Sequence, residues 1–256
     1  MNNSTAILEM QSVNKVFFTE NNLPKHILKD INLTIYPGDF ISVIGNNGAG
    51  KSTLLNIIAG NLAADTGSIY IKNHDVTNQN VTKRAKHIAR VFQDPQAGTA
   101  GELTSSQNLA VASTKQHFGL QPYRRNLAPA ELKSLLQQPQ MGLERFLDTP
   151  VKYLSGGQRQ VLSLLMAAQK QPDLLLLDEH TAALDPKTSA AVMELTNKLV
   201  NSQHLTSLMI THKMEDALHY GNRLIMVQDG QITHDVRGDD KLKLKKTEML
   251  SWFNYK

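Results

Sequence analysis

Short, continuous apolar runs punctuate the chain: Phe40-Ile-Ser-Val-Ile44, Leu174 to Leu177, Leu208 to Ile210 and Leu224 to Val227. Runs of this kind, bounded by turn or polar residues, suit strands buried on both faces of a parallel sheet. Helical stretches separate them, among them Lys51 to Ala59 and Thr188 to Val200. Strands alternating with helices predict an α/β layered core. Up to about Pro37 the pattern is different. Ile7 to Val13 and Ile31 to Ile35 read as alternating strands and predict an antiparallel sheet. From about Asp94 to Tyr153 the chain is richer in Gln, Pro and Leu and has no strong buried strand. It contains helix-like pieces such as Ala130 to Gln138 and predicts a mostly helical insertion between two parts of the core. From Lys241 the run Lys-Leu-Lys-Leu-Lys-Lys is basic. It predicts a solvated surface segment, with weak attraction to anionic lipid as the alternative.

Composition narrows this picture. A chain of 256 residues accommodates one large domain, or one domain with a sizeable insertion. Apolar residues make up 41%, enough for a substantial core. The net charge of +4 is mildly basic. No interleaving of aromatic and basic residues suggests base stacking, so nucleic acid is not an expected partner. The absence of cysteine excludes disulfides and thiolate metal sites. The start, MNNSTAILEMQS, does not read as a signal peptide. The most apolar stretch, VLSLLMAAQKQPDLLLL, is interrupted by Lys170, Pro172 and Asp173, so no bilayer span is expected. Any action at a membrane needs other chains to supply the spans.

Gly45-Asn-Asn-Gly-Ala-Gly-Lys-Ser52 follows an apolar strand directly and precedes a helix. This spacing, in this setting, predicts a phosphate-binding loop, and the core resembles that of the P-loop NTPases. Glycines let the backbone turn its N–H groups inward, and the helix N-terminus adds a positive end. Gly45, Asn46, Asn47, Gly48, Ala49 and Gly50 form the cradle. Lys51 is expected to reach the β- and γ-phosphates, and the Ser52 hydroxyl, followed by Thr53, to offer oxygen to Mg²⁺.

The run Leu174 to Leu177 ends in Asp178-Glu179. Strand ends of open α/β sheets face the ligand crevice. Asp178 is expected to hold Mg²⁺, and Glu179 to act on the attacking water as general base. His212 follows the strand Leu208 to Ile210 and is placed to donate to the γ-phosphate and orient that water. His180, beside Glu179, is a candidate modulator.

Leu154-Ser-Gly-Gly-Gln158 completes a set of motifs that resembles the nucleotide-binding subunit of ABC transporters, in order and over most of the chain, from about Ile7 to Val236. The resemblance implies one domain. Residues 1–93 and 159–236 would form the α/β core with its N-terminal antiparallel sheet. Residues 94–158 would form the helical subdomain carrying the signature, and 237–256 a basic tail. It implies that Ser155, Gly156, Gly157 and Gln158 head a helix and bind the γ-phosphate of ATP held by a partner subunit. Gln93 is similar to the glutamine that touches Mg²⁺ and water where the helical insertion opens. Asp185 is similar to a loop acid that reaches across the dimer. Phe17 is similar to the aromatic that stacks on adenine, with Phe18 as the competing choice. Two positions depart from the family. His180 stands where many members have Pro. Ser106 and Gln107 stand where acids are usual, near the surface that receives the permease.

The resemblance further implies an ATPase using ATP and Mg²⁺. It would work as an ATP-dependent homodimer, or paired with a related ATPase, at the cytoplasmic side of a membrane and bound to permease subunits. Asp-Glu-His-Thr-Ala-Ala-Leu-Asp-Pro, Gln-Asp-Pro-Gln-Ala-Gly-Thr and Tyr-Gly-Asn-Arg-Leu-Ile-Met also resemble bacterial importer ATPases that work with a substrate-binding lipoprotein. Amino acids, tryptophan-like ones included, are the suggested cargo. An exporter ATPase, an ATP-driven signalling protein that transports nothing, and a soluble nucleic-acid or translation ATPase are the rival readings.

Overall fold

The computed structural model describes residues 5–113, 129–137 and 141–253. Its first strands, β1 (Leu8–Phe18) and β2 (Pro24–Ile35), pair antiparallel. The chain then enters β3 (Phe40–Ile44), in which every residue is buried. A phosphate loop leads into α1 (Lys51–Ala59). The antiparallel pair β4 (Thr66–Ile71) and β5 (His74–Asp75) returns to the first sheet, in the order β2-β1-β4-β5. After a short α2 (Val81–Arg84) comes β6 (Ile88–Val91).

The remaining strands are β7 (Leu174–Asp178), β8 (Ser207–Ile210), β9 (Arg223–Gln228) and β10 (Gln231–Arg237). With β3 and β6 they build a second sheet in the order β10-β9-β3-β8-β7-β6. Its strands run parallel except β10, which is antiparallel to β9. The four apolar runs are thus central strands. Leu174 and Leu176 pack with α1 and the first sheet, while Leu175 and Leu177 pack on the other face of the sheet. Period-two alternation with both faces covered explains why these runs are continuously apolar. Between the two sheets α1 buries Leu54, Leu55, Ile57 and Ile58. Each such side chain contributes about 1.5–3 kcal/mol by leaving water. The Arg84 guanidinium, 1% exposed, closes the far end of α1 by donating to Ile57 O (2.6 Å) and Ile58 O (2.9 Å).

On the other face lie α3 (Ser105–Ser113), α4 (Pro129–Gln137), two short 3₁₀ turns, and then α5 (Gly156–Gln169) and α6 (Pro186–Ser202). The stretch expected to be helical contains α3 and α4. The expected end of α4, Gln138, lies outside the described residues. A boundary between residues 158 and 159 falls inside α5, which runs unbroken from the signature onto the core.

The C-terminal end is mostly the solvated surface segment expected, with Lys241 as the exception. After α7 (Met214–His219) and β9–β10, residues from Gly238 form α8 (Gly238–Lys243) and α9 (Lys246–Phe253), and Leu242, Lys243, Lys245 and Lys246 are exposed. Lys241 is 2% exposed and donates to Tyr220 O (2.5 Å) and Gly221 O (2.7 Å), just beyond the end of α7. Met249 and Trp252 join Ile44, Leu224 and Met226 in a third apolar cluster, and Trp252 stacks on His234. The run of lysines hid this because a lysine stem buries well while its ammonium finds carbonyl acceptors. Lys243 and Lys245 remain exposed. No helix among the described residues is long and apolar enough to cross a membrane.

Candidate functional site

The phosphate loop is shaped by close approach of backbone to backbone. Gly45 has φ +149°, and a Cβ there would lie 2.0 Å from the Val227 carbonyl oxygen. Gly50 has φ +106°, and a Cβ there would meet Ile27 O at 2.7 Å. No L side chain fits at either position without moving β2 or β9. Ala49 is buried beneath the loop. Lys51 is 5% exposed and folds back into the loop, donating to Gly45 O (2.7 Å) and Asn46 O (3.0 Å). Burial lowers its pKa, and the Glu179 carboxylate opposes that shift.

A cleft of about 250 Å³ opens over this loop. Asn47, Gly48, Lys51, Ser52 and Thr53 form its floor, and Glu179 and His212 close one side. Phe17 and Lys25 line it from the first sheet. The choice between the two adjacent phenylalanines is therefore geometric: Phe17 is in the cleft, whereas Phe18 is 68% exposed and does not line it.

The two carboxylates at the end of β7 go different ways. Glu179 has φ +45°, a left-handed conformation costing about 1–3 kcal/mol for a residue with a side chain. Its N–H still donates to Ile210 O at 3.2 Å, so the turn is anchored on β8. The Glu179 carboxylate faces the cleft and pairs with His212 Nε2 at 2.5 Å. Asp178 does not line the cleft. Its Oδ2 accepts from Arg90 Nη2 at 2.5 Å. Motif reasoning gives Arg90 no role. The available signal is a charged residue inside an otherwise apolar strand, Ile-Ala-Arg-Val.

His180 is 2% exposed, and its ring nitrogen Nε2 lies 3.0 Å from Thr196 Oγ1 on α6. The Thr196 hydroxyl donates to Val192 O (2.8 Å), so it accepts from the ring and assigns the proton to Nε2. Burial lowers the His180 pKa to about 4. A buried neutral imidazole thus fixes the residue after Glu179 onto α6.

Ser155 caps α5. Its hydroxyl accepts from Gln158 N (3.2 Å), and the Gln158 side chain accepts from Ser155 N (3.1 Å), a reciprocal capping box. Ser155 and Gly156 are exposed, while Gly157 is buried against α6. A Cβ on Gly157 would lie 2.4 Å from Thr188 Cγ2. Asp185 caps α6 by accepting from Thr188 N (3.1 Å), which lowers its pKa. Asp185 is otherwise exposed, as is Gln93 two residues beyond β6. None of Gln93, Ser155, Gly156, Gly157, Gln158 or Asp185 lines the cleft of its own chain.

Elsewhere, Val81, Ile88, Phe92 and Met166 line a mostly apolar groove of about 340 Å³ beside α2, β6 and α5.

The family model described as ABC transporter matches residues 28–182, more than half the chain. This chain belongs to the ABC transporter ATPases. Its reaction is hydrolysis of ATP coupled to transport. It is 43% identical to the tyrosine transport ATP-binding protein of Clostridioides difficile (strain R20291), over 97% of this chain and 99% of that one. It is 35% identical to the sulfate/thiosulfate import ATP-binding protein of Nitrosomonas europaea, over 80% of this chain. That relative is longer, and this chain spans 55% of its length. Among solved structures, the fold is similar to a dimeric ATP-binding cassette in a post-hydrolysis state bound to ADP and Pi. The TM-score is 0.76 at 28% identity, covering 90% of this chain and 98% of that one.

Proposed function

We propose that this ABC transporter ATPase powers a bacterial importer of a small solute, an amino acid being the best-supported class. The observation that carries the solute class is the end-to-end match, at 43% identity, to a relative named for tyrosine transport. A sulfate/thiosulfate import relative supports the inward direction. The protein acts at the cytoplasmic face of a membrane, bound to permease subunits, with a substrate-binding lipoprotein delivering the cargo. The apolar groove beside Phe92 and Met166 offers a seat for a permease segment. An exporter, or a signalling assembly that transports nothing, is the alternative. Uptake of labelled aromatic amino acid into cells with and without the gene decides among them, and unchanged uptake refutes the amino-acid importer.

The residues divide the work between two copies of the chain. Phe17 stacks on adenine, the loop from Gly45 to Thr53 holds the phosphates, and Lys51 leaves its carbonyl partners for the β- and γ-phosphates. Glu179 takes a proton from the attacking water, and His212 hydrogen-bonds the γ-phosphate. Ser155, Gly156, Gly157 and Gln158 serve the ATP of a second copy, and Asp185 reaches toward that copy. This division is supported by the cleft, which holds Lys51, Glu179 and His212 of its own chain but none of the signature residues. An exposed, positively polarised helix end at Ser155 suits an anion brought by another subunit. Residues 94–158 would then move as the helical arm and 1–93 with 159–236 as the core, apart from the α5 continuity. Oxygen donors at Ser52, Asp178 and Gln93 fit a hard cation such as Mg²⁺. When bound, it neutralises charge on the phosphate oxygens.

Glu179→Gln tests the base assignment. ATP turnover is expected to fall by about 10²-fold or more, with ATP binding retained. Turnover at the wild-type rate refutes it.

A further inference from the structure

Arg90 occupies a junction that the proposed mechanism leaves unexplained. Its side chain is 12% exposed and lies against three elements. Nη2 donates to Asp178 Oδ2 on β7 at 2.5 Å. Nη1 donates to Asn56 Oδ1 on α1 at 2.7 Å. The guanidinium carbon sits 4.9 Å from the centre of the Phe92 ring, where β6 leads out toward Gln93. Those three elements carry the three candidate Mg²⁺ residues: Ser52 on α1, Asp178 on β7 and Gln93 after β6. The Arg90 Nε is buried with no acceptor. A guanidinium held at this cost in desolvation suggests that its place beside Asp178 has a use.

We infer that Arg90 is a positioning residue for the magnesium side of the site: it engages Asp178 Oδ2 as an internal cation, so that only Oδ1 is offered outward. This rests on the reading of Asp178 as a Mg²⁺-side residue. Both carboxylates at the end of β7 then meet a partner within the chain, Asp178 by Arg90 and Glu179 by His212. With Lys51 nearby as a further cation, the nucleotide-free chain presents no surplus negative charge, and a bare divalent cation gains little by entering. The metal enters with ATP, whose phosphates supply the missing negative charge. Removing the guanidinium charge leaves Asp178 unbalanced and opens the site to a divalent cation alone. Arg90 also ties α1 to β7, so the spacing between the phosphate loop and Asp178 depends on it. A purely architectural ion pair would alter stability when cut, without making a metal site.

The experiment measures Mn²⁺ binding to the full chain without nucleotide, by the loss of the free-ion signal in electron paramagnetic resonance. Arg90→Met is expected to bind Mn²⁺ about tenfold or more tightly than wild type, the scale of deleting one nearby charge at a partly solvated site. The gain is expected to vanish in Arg90→Met combined with Asp178→Asn. Arg90→Lys, which keeps the charge, is expected to match wild type. Arg90→Gln keeps a polar donor without the charge and should show the same gain, so the test stands even if the methionine variant fails to fold. The inference is overturned if neither neutral variant gains affinity, if the gain survives Asp178→Asn, or if the lysine variant gains as much as the neutral ones. Asp178→Asn alone separates the underlying reading: if it leaves Mg²⁺-dependent ATP hydrolysis unchanged, Asp178 is not a Mg²⁺-side residue.

Discussion

Acidification should weaken the fold through His180. The ring is buried, donates from Nε2 to Thr196 Oγ1, and has its pKa lowered from 6.5 to about 4 by burial. An unfolded chain protonates this imidazole first as the pH falls, so the unfolded state binds more protons between the two pKa values. The stability that depends on a neutral His180 is therefore fully present above about pH 6.5. It declines as the pH falls toward 4. A separation of about 2.5 units corresponds to a full loss of about 3.4 kcal/mol, of which about 2 kcal/mol is gone by pH 5. That is a large share of a typical folding free energy. The assay is urea unfolding at pH 7.5 and pH 5.0, without nucleotide, for wild type and His180→Gln. Glutamine can still donate to Thr196 but does not titrate. Other histidines and the Asp173–His87 pair contribute equally to both proteins and cancel. Wild type should lose about 2 kcal/mol more than the variant over this range. Equal losses would refute the reasoning, because they would mean that His180 is not held neutral by the fold.

Two other perturbations probe specific contacts. Gly157→Ala puts a methyl group where only 2.4 Å separates it from Thr188 Cγ2, so it should destabilise the chain by about 1–3 kcal/mol in a thermal melt despite alanine's better helix propensity. Adding Thr188→Ser, which removes the opposing methyl, should restore most of that loss. Phe17→Ala should weaken ATP binding by roughly 5–30-fold in a fluorescent-nucleotide titration, the scale of one aromatic contact, while Phe18→Ala should change it little. Equal effects at the two positions would remove adenine stacking from Phe17.

Strands whose surroundings are uniformly apolar were legible, because burial on both faces leaves only one kind of side chain. Thus β3, β7, β8 and β9 appear where the apolar runs stand, and α1 begins at Lys51 as the loop motif requires. The strand β6 was not legible. Arg90 breaks its run, and the partner that makes a half-buried arginine acceptable there, Asp178, is 88 residues away. Lys241 failed for a related reason: its acceptors lie at Tyr220 and Gly221, so nothing local marks it as buried. The choice between Phe17 and Phe18 also needed three dimensions. Neighbours on a strand point to opposite faces, and only the pairing with β2 decides which face meets the phosphate loop. In each case, what the sequence conceals is the long-range partner of a polar or ambiguous side chain.

The turn at Glu179 shows how one local strain organises the rest of the site. Had Asp178 and Glu179 both continued β7, the period of two would have sent them to opposite faces of the sheet. The left-handed turn at Glu179 breaks that period and brings its carboxylate over the phosphate loop, beside His212. Asp178 remains in register on the strand, opposite Ile210, with Arg90 from the neighbouring strand at its carboxylate. Such a turn persists only if the residues after it are pinned. His180 on Thr196, and Asp185 on Thr188, fix both ends of the following segment to the same helix, α6. Gly157 packs on Thr188 of that helix as well. Glu179, Asp185 and the N-terminus of α5 therefore share one support. A shift of α6 would move all three together, whereas Lys51 and Ser52 on α1 belong to the other side of the sheet.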